Sequence, residues 1–248
     1  MATIDRARLK THLADEEGRF VAEHPKSKAL FERARKSLLA GVPMNWMVRW
    51  AGAFPVFVAE ASGARFTDAD GRRYLDLCLG DTGAMTGHSP APVVQAVRDR
   101  LGRGITLMLP TEDAIAVGEE LVRRFGLPWW QMTLTATDAN RFVIRLARHI
   151  SGRPKILVFN WCYHGTVDES FITLQNGRTT PRPGNLGPPV DPGVTTRVIE
   201  FNDLAALEEA LGQGDVACVL AEPAMTNIGI IHPDEGYHRA LRELTRKT

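Results

Sequence analysis

Short apolar runs alternate with helix-length amphipathic segments through the second half of the chain, and this alternation constrains the fold more than any other feature. Strands that alternate with helices are typical of a mostly parallel sheet joined by right-handed crossovers. We therefore predict an α/β fold. The predicted strands are 131–135, 155–159, 197–200 and 216–221, and the predicted helices between and after them are 137–150, 203–211 and 234–246.

The first strand–helix–strand unit of this series carries small polar residues at both of its strand ends. Thr133-Leu-Thr-Ala-Thr-Asp-Ala-Asn140 turns from a strand into a helix, and Cys162-Tyr-His-Gly165 follows the apolar run Ile156–Phe159. Such a unit brings helix-terminal N–H groups and loop side chains together at one edge of the sheet. We predict the functional site at this edge.

Three groups at this edge are candidate site residues, and each has an ordinary structural alternative. Thr135-Ala-Thr-Asp138 would bind a phosphate through free N–H groups, hydroxyls and the helix dipole, although a simple N-cap is the commoner use of such residues. Tyr163 and His164 would offer a flat aromatic face to a planar cofactor, or pack the edge of the domain. Glu222 adds a carboxylate at the same edge, or forms part of a routine Glu-Pro stop after a strand.

The first 80 residues show a different pattern and are predicted as a separate segment of helices and a small antiparallel sheet. Helical periodicity covers 4–24, which Pro25 ends, and 27–39, which Gly41 follows. Residues 56–76 alternate around Asp70-Gly71, a strong hairpin signal. The large α/β domain is assigned to 81–248, with further helices at 91–102 and 111–125.

Two irregular stretches are interpreted as loops. Gly41–Trp50 is aromatic and favours a packing role, but its Arg49 is the one candidate for binding a substrate carboxylate. Residues 176–193 are rich in proline and glycine and too long for a simple connection. We predict that this second loop covers a site or contacts another subunit.

Composition excludes several classes of protein. The formal net charge is +1 with no basic run, which argues against nucleic acid as a partner. The three cysteines are far apart and do not suggest a disulfide framework or a metal site. No apolar run approaches the roughly 20 residues of a membrane helix, and the N-terminus lacks an apolar signal core. We expect a cytoplasmic protein with no membrane partner.

Motifs along most of the chain resemble one family. They are Leu30–Arg35, Ala64–Asp76, Gly87–Pro90, Thr137–Ala139, Arg145–Arg148, Cys162–Gly165, Ala221–Pro223 and Leu241–Lys247. In this order they resemble the class III, pyridoxal 5′-phosphate (PLP)-dependent aminotransferases, in the branch that contains glutamate-1-semialdehyde 2,1-aminomutase. The resemblance implies a fold type I transferase, a homodimer, and amino-group transfer on an amino acid or an amino aldehyde.

The resemblance also implies roles for individual residues. Thr135, Ala136 and Thr137 would hold the cofactor phosphate. Tyr163 would stack on the cofactor ring, and His164 and Gly165 would complete that loop. Glu222 would support the pyridine side of the pocket.

The chain departs from the family pattern at several positions. Ala136 stands where the family has glycine, Asp138 replaces a glutamate, and Asn160-Trp161 is bulkier than usual. The family's Schiff-base lysine is expected beyond residue 248, because neither Lys155 nor Lys247 matches its motif. We therefore expect an N-terminal portion of the enzyme, with a truncated large domain, no catalytic residue and no activity alone. The alternative is a cofactor-free or inactive binding or regulatory protein that reuses the fold.

Overall fold

The computed structural model describes residues 4–187 and 189–248, which form two compact units that meet in the sequence between Pro110 and Thr111. The helices are α1 (Arg6–Glu23), α2 (Pro25–Ala34), α3 (Ala91–Leu101), α4 (Glu112–Phe125), α5 (Ala136–Ser151), α6 (Leu204–Gly212) and α7 (Tyr237–Lys247). The strands are β1 (Val58–Ser62), β2 (Arg65–Asp68), β3 (Arg73–Leu75), β4 (Lys155–Phe159), β5 (Ile172–Gln175), β6 (Arg178–Pro181), β7 (Thr196–Ile199) and β8 (Val216–Leu220).

A parallel sheet with the strand order β7-β4-β8 forms the centre of the second unit. Ile156, Leu157, Val158 and Phe159 of the central strand are fully buried, as a near-continuous apolar run predicts for a parallel strand covered on both faces. Side chains from the helices α5, α6 and α7 join the same core. The predicted α/β fold with a mostly parallel sheet is confirmed.

The predicted strand at 131–135 is wrong. The chain is irregular there and passes directly into α5, and Leu134 is 98% exposed. A strand exists only where a neighbour completes its hydrogen-bond ladder, and no residue in the described part of the chain pairs with this segment. Local apolar character was therefore insufficient evidence for a strand at this position.

The predicted loop at 176–193 begins as a hairpin. The strand β6 pairs antiparallel with β5 across the two-residue turn Asn176-Gly177, both of whose φ angles are positive. Asn-Gly is the preferred sequence of a two-residue type I′ hairpin turn, a signal that the proline-rich surroundings obscured. Position 188, inside the predicted loop, lies outside the described residues, and the loop's role over a site or subunit contact stays a prediction.

The first unit combines the helices α1, α2 and α3 with a three-stranded antiparallel meander, β1-β2-β3. The turn at Asp70-Gly71 is confirmed, and so is the break at Pro25, which occupies the first turn of α2. The helix α2 ends at Ala34 rather than 39, because the chain turns back so that Gly41 packs on Phe31. A continuous helix would hold these two residues about 15 Å apart. The compact unit runs to residue 110. The predicted boundary at residue 80 between the N-terminal segment and the large cofactor-binding domain stays a prediction.

A buried polar network joins the meander to the helices of the first unit. The Tyr74 hydroxyl donates to Asp68 Oδ2 at 2.9 Å and lies 2.7 Å from His24 Nε2. Burial and the Asp68 carboxylate raise the pKa of Tyr74 to about 12. We expect Tyr74→Phe to lower the free energy of unfolding by about 1–3 kcal/mol, because a buried carboxylate oxygen loses its donor.

Urea unfolding of the full chain measures this effect. Tyr163→Phe is the matched control, since the side chain of Tyr163 is 53% exposed and its loss of a hydroxyl should change stability by less than about 0.5 kcal/mol. Equal stability of the two variants would contradict the proposed role of the network.

None of the helices in the described ranges is both long and apolar enough to cross a bilayer.

Candidate functional site

The N-terminus of α5 leaves amide donors available. Thr135 is the N-cap: its Oγ1 accepts from the Asp138 amide at 3.1 Å and donates to Asp138 Oδ2 at 2.8 Å. Within the described residues, the amides of Ala136 and Thr137 donate to no protein group. Free amides at the start of a helix, together with the helix dipole, favour the binding of an anion.

The loop after β4 is attached to α5 by three hydrogen bonds. The Asn140 side-chain amide donates to the His164 carbonyl at 3.0 Å, and the Thr166 amide donates to Thr137 Oγ1 at 3.1 Å. Arg141 Nη2 donates to the Thr166 carbonyl at 3.1 Å. The helix start and this loop are therefore one hydrogen-bonded assembly at the end of the central strand.

Gly165 makes the closest approach between the loop and the helix. Its φ angle is +77°, and a Cβ built on it would lie 2.2 Å from Thr137 Oγ1 and 3.1 Å from Thr137 Cα. Any side chain would thus overlap the first turn of α5. The contact requires glycine for both its backbone conformation and its space.

Glu222, just beyond the end of β8, is held against the same loop. Its Oε1 accepts from the Tyr163 amide at 3.3 Å, and its Oε2 accepts from the amide and the hydroxyl of Thr226 at 2.8 and 2.7 Å. The Tyr163 side chain is 53% exposed. The ring of Tyr163 is therefore accessible while its backbone is fixed.

His164 lies on the inner side of this loop. It is 8% exposed, and its Nε2 has no hydrogen-bond partner in the part of the chain that the structure describes. Burial lowers the pKa of His164 below its usual value, against the partial opposition of Glu222 and the Leu220 carbonyl. The imidazole is consequently neutral at pH 7, and one of its ring nitrogens has no partner.

The structure brings most of the predicted site residues together. Thr137, His164 and Gly165 belong to the contact between helix and loop, and Tyr163 is hydrogen-bonded to Glu222. Thr135 and Ala136 begin the same helix. The exposed Arg49 ends a short 3₁₀ helix in the other unit, so its role with substrate stays a prediction.

Lys155 begins β4, whereas the candidate site follows the end of that strand. Its Nζ lies 3.1 Å from Asp215 Oδ2. Hydrogen bonds from Arg197 and Lys155 hold the pKa of Asp215 at about 2, despite some burial. Lys155 thus forms an ion pair at the opposite end of the strand, and its exclusion as a Schiff-base lysine stays a prediction.

Sequence reasoning did not identify the residues that support the site. Asn140 and Thr226 fix the loop and Glu222, and Arg182 donates to the Cys162 carbonyl at 2.7 Å. The spacing of Asn140 one turn after Thr137 was the only available signal, because residues three positions apart share a helix face. The contact of Arg182 crosses 20 residues, and no local pattern predicts it.

Comparisons with known proteins identify the family of this chain. The family described as aminotransferase class-III matches residues 46–248. Glutamate-1-semialdehyde 2,1-aminomutase of Methanocaldococcus jannaschii is 37% identical over 228 residues, which cover 90% of this chain and 53% of that protein. A crystal structure of a glutamate-1-semialdehyde-aminomutase from Pseudomonas aeruginosa PAO1 matches with a TM-score of 0.94 and 53% identity, covering 98% of this chain and 54% of that one. A variant of that enzyme in complex with PMP matches equally well.

The fold is that of the type I PLP-dependent transferases. The chain belongs to the class III aminotransferase family, whose cofactor is PLP. It spans about half the length of the relatives that it matches.

Proposed function

We propose that this chain supplies the phosphate-binding and ring-binding contacts of a PLP site in an enzyme that transfers amino groups. One observation carries the proposal: the free amides of Ala136 and Thr137 belong to the same hydrogen-bonded assembly as the accessible ring of Tyr163. Such an assembly suits a ligand that combines a phosphate with a flat ring.

The phosphate would be held by a small number of donors. Thr137 Oγ1 accepts from Thr166, so its own proton is available to a phosphate oxygen. The Thr135 proton is already donated to Asp138, which leaves this side chain as a cap rather than a direct donor. Two amides and one hydroxyl therefore fit the group, with the Ala136 methyl as the main obstacle to close approach.

The other residues would orient the ring. Bound PLP supplies an electron sink for reactions at the carbon that bears the amino group. Tyr163 offers a flat face, and Glu222 fixes the Tyr163 backbone while adding negative charge at this edge. The neutral His164 closes the inner side of the loop and adds no positive charge there.

The reaction and the partners follow from the family. We propose amino-group transfer of the aminotransferase or glutamate-1-semialdehyde aminomutase type, on a small amino acid or amino aldehyde. Arg49 is proposed to bind the substrate carboxylate, within a cytoplasmic homodimer. The Schiff-base lysine is proposed to lie outside residues 1–248.

A second candidate is a cofactor-free binding protein that reuses the fold. Ala136 in place of glycine and the committed Thr135 hydroxyl favour it, because both weaken phosphate binding. The two candidates differ in whether the chain prefers PLP to pyridoxal, its dephosphorylated form.

Equilibrium titration of the 248-residue chain with PLP and with pyridoxal distinguishes them. We expect saturable binding of PLP at least about tenfold tighter than that of pyridoxal, a difference of roughly 1.4 kcal/mol from the phosphate. Equal affinity for the two ligands, or no saturable binding, would favour the cofactor-free candidate.

Ala136→Gly should tighten PLP binding by about three- to tenfold, because a phosphate oxygen then approaches the backbone without a methyl group. Ala139→Gly is the matched control in the same helix: it carries a similar cost in helix propensity but lies beyond the free amides. An equal change in PLP affinity in both variants, measured in the same titration, would assign the effect to helix stability instead.

A further inference from the structure

Trp161 has an unusual backbone conformation immediately before the candidate site loop. Its φ angle is +64°, in the left-handed region that a bulky residue rarely adopts, and the residue is 41% exposed. Such a conformation persists only where the surrounding contacts determine it. The contacts around Trp161 therefore indicate what holds the loop in place.

Two side chains from distant parts of the chain supply these contacts. Asn227 Nδ2 donates to the Trp161 carbonyl at 3.1 Å. Arg182 Nη2 donates to the next carbonyl, that of Cys162, at 2.7 Å, and the Arg182 guanidinium carbon lies 5.5 Å from the centroid of the Trp161 ring. The guanidinium thus contacts both the ring and the backbone of the loop.

Arg182 is itself fixed by the β5–β6 hairpin. It follows β6 directly, and its amide donates to the Phe171 carbonyl at 2.9 Å. Among the described residues it forms no ion pair, and its buried Nε has no hydrogen-bond partner. Holding the half-buried guanidinium of Arg182 without a carboxylate partner costs free energy. Its position against carbonyl groups and the Trp161 ring therefore needs a structural reason.

The Cys162–Tyr163 peptide supplies that reason. The Cys162 carbonyl, which accepts from Arg182, and the Tyr163 amide, which donates to Glu222 Oε1 at 3.3 Å, belong to the same peptide group. This peptide is trans, so its oxygen and its hydrogen point in opposite directions. A guanidinium therefore holds one end of the peptide dipole, and a carboxylate holds the other.

We propose that Arg182 is a positioning residue that, together with Glu222, fixes the orientation of the Cys162–Tyr163 peptide and so aims the Tyr163 ring at the cofactor. Rotation of this peptide by 180° would turn the carbonyl oxygen towards the Glu222 carboxylate and the N–H towards the Arg182 cation. Both contacts are repulsive, so the charges select one orientation. The consequence for PLP rests on the proposed function, whereas the peptide orientation does not.

Hydrogen exchange of the Tyr163 amide, followed by NMR in the absence of cofactor, tests the orientation. Arg182→Met keeps an unbranched apolar side chain but removes the donors and the charge, and should accelerate this exchange by about tenfold or more. Arg182→Lys retains a cation and a donor and should accelerate it by no more than about threefold. Arg178→Met, at the exposed first residue of β6, is the matched control and should leave the exchange rate unchanged.

Glu222→Gln provides an independent variant if Arg182→Met does not fold. It removes the negative charge that accepts from the Tyr163 amide and should also accelerate exchange there, while amides of the central strand keep their rates. An exchange rate of the Tyr163 amide equal to that of wild type in Arg182→Met, or in Glu222→Gln, would overturn the proposal. So would equal acceleration throughout β4, because Arg182 would then have only a general structural role.

The PLP titration adds a second readout. Arg182→Met should weaken PLP binding by about tenfold. The affinity of Arg182→Lys for PLP should lie between those of Arg182→Met and the wild type. If the wild-type chain binds no PLP, the proposed function fails while the exchange result still decides the role of Arg182. If exchange responds and PLP affinity does not, the peptide orientation is established and its effect on the cofactor is refuted.

Discussion

Gly165→Ala is expected to separate the loop after β4 from the start of α5 and to weaken PLP binding by about 100-fold, or roughly 2.7 kcal/mol. The new methyl group would lie 2.2 Å from Thr137 Oγ1, at a φ angle of +77° that alanine rarely adopts. The loop must therefore move away from the free amides of Ala136 and Thr137. We expect the free energy of unfolding to fall by about 2–4 kcal/mol as well.

Gly152→Ala is the matched control for this substitution. Gly152 caps the other end of α5 with a φ angle of +68°, and a Cβ there would meet nothing within 4 Å. This control carries the same conformational cost, about 1 kcal/mol, without the overlap. Equal losses of PLP affinity and of stability in the two variants, measured by titration and urea unfolding, would show that the contact with Thr137 is unimportant.

Asn160→Ala is expected to lower the free energy of unfolding by about 3 kcal/mol. Asn160 follows β4 and is 8% exposed; its Oδ1 accepts from the Thr173 hydroxyl at 2.8 Å and from the Leu174 amide at 3.0 Å. Its Nδ2 donates to Glu200 Oε1 at 2.8 Å. Truncation leaves all three partners without their bond, and Thr173 is only 1% exposed.

Urea unfolding measures this loss, with Gln213→Ala as a control at an exposed amide that should change stability by less than about 0.5 kcal/mol. Asn160→Asp keeps the acceptor oxygen but places a second carboxylate beside Glu200. Its destabilisation should be largest at pH 7 and decrease as the pH falls towards about 4, where carboxylates take up protons. A pH-independent loss would contradict the assigned contact with Glu200.

The fold was largely predictable where local sequence and long-range packing agree. The apolar run Ile156–Phe159 became the buried central strand, and α5 begins and ends within a residue of its predicted bounds. Residues 131–135 have only two apolar residues, Met132 and Leu134, and no pairing strand in the described ranges. Strand formation depends on a partner elsewhere in the chain, which is why this prediction failed while the helix prediction succeeded.

The candidate site was predictable as a location but only in part as a geometry. Thr137, Tyr163 and Gly165 were identified from their motifs, and they do meet at one end of the sheet. The N-cap bond of Thr135 was the structural alternative, whereas the donation of its hydroxyl to Asp138 Oδ2 and the contact of Arg182 with Cys162 were not predicted. Both depend on side-chain orientations that spacing along the chain does not determine.

The central claim is that the N-terminus of α5 and the loop after β4 hold the phosphate of PLP. Amide NMR spectra of the ¹⁵N-labelled chain, recorded with PLP and with pyridoxal, test it most directly. The account predicts that PLP shifts the amide signals of Ala136 and Thr137 far more than pyridoxal does, while both ligands shift Tyr163. Unchanged signals of Ala136 and Thr137 at saturating PLP, or equal shifts with pyridoxal, would contradict it.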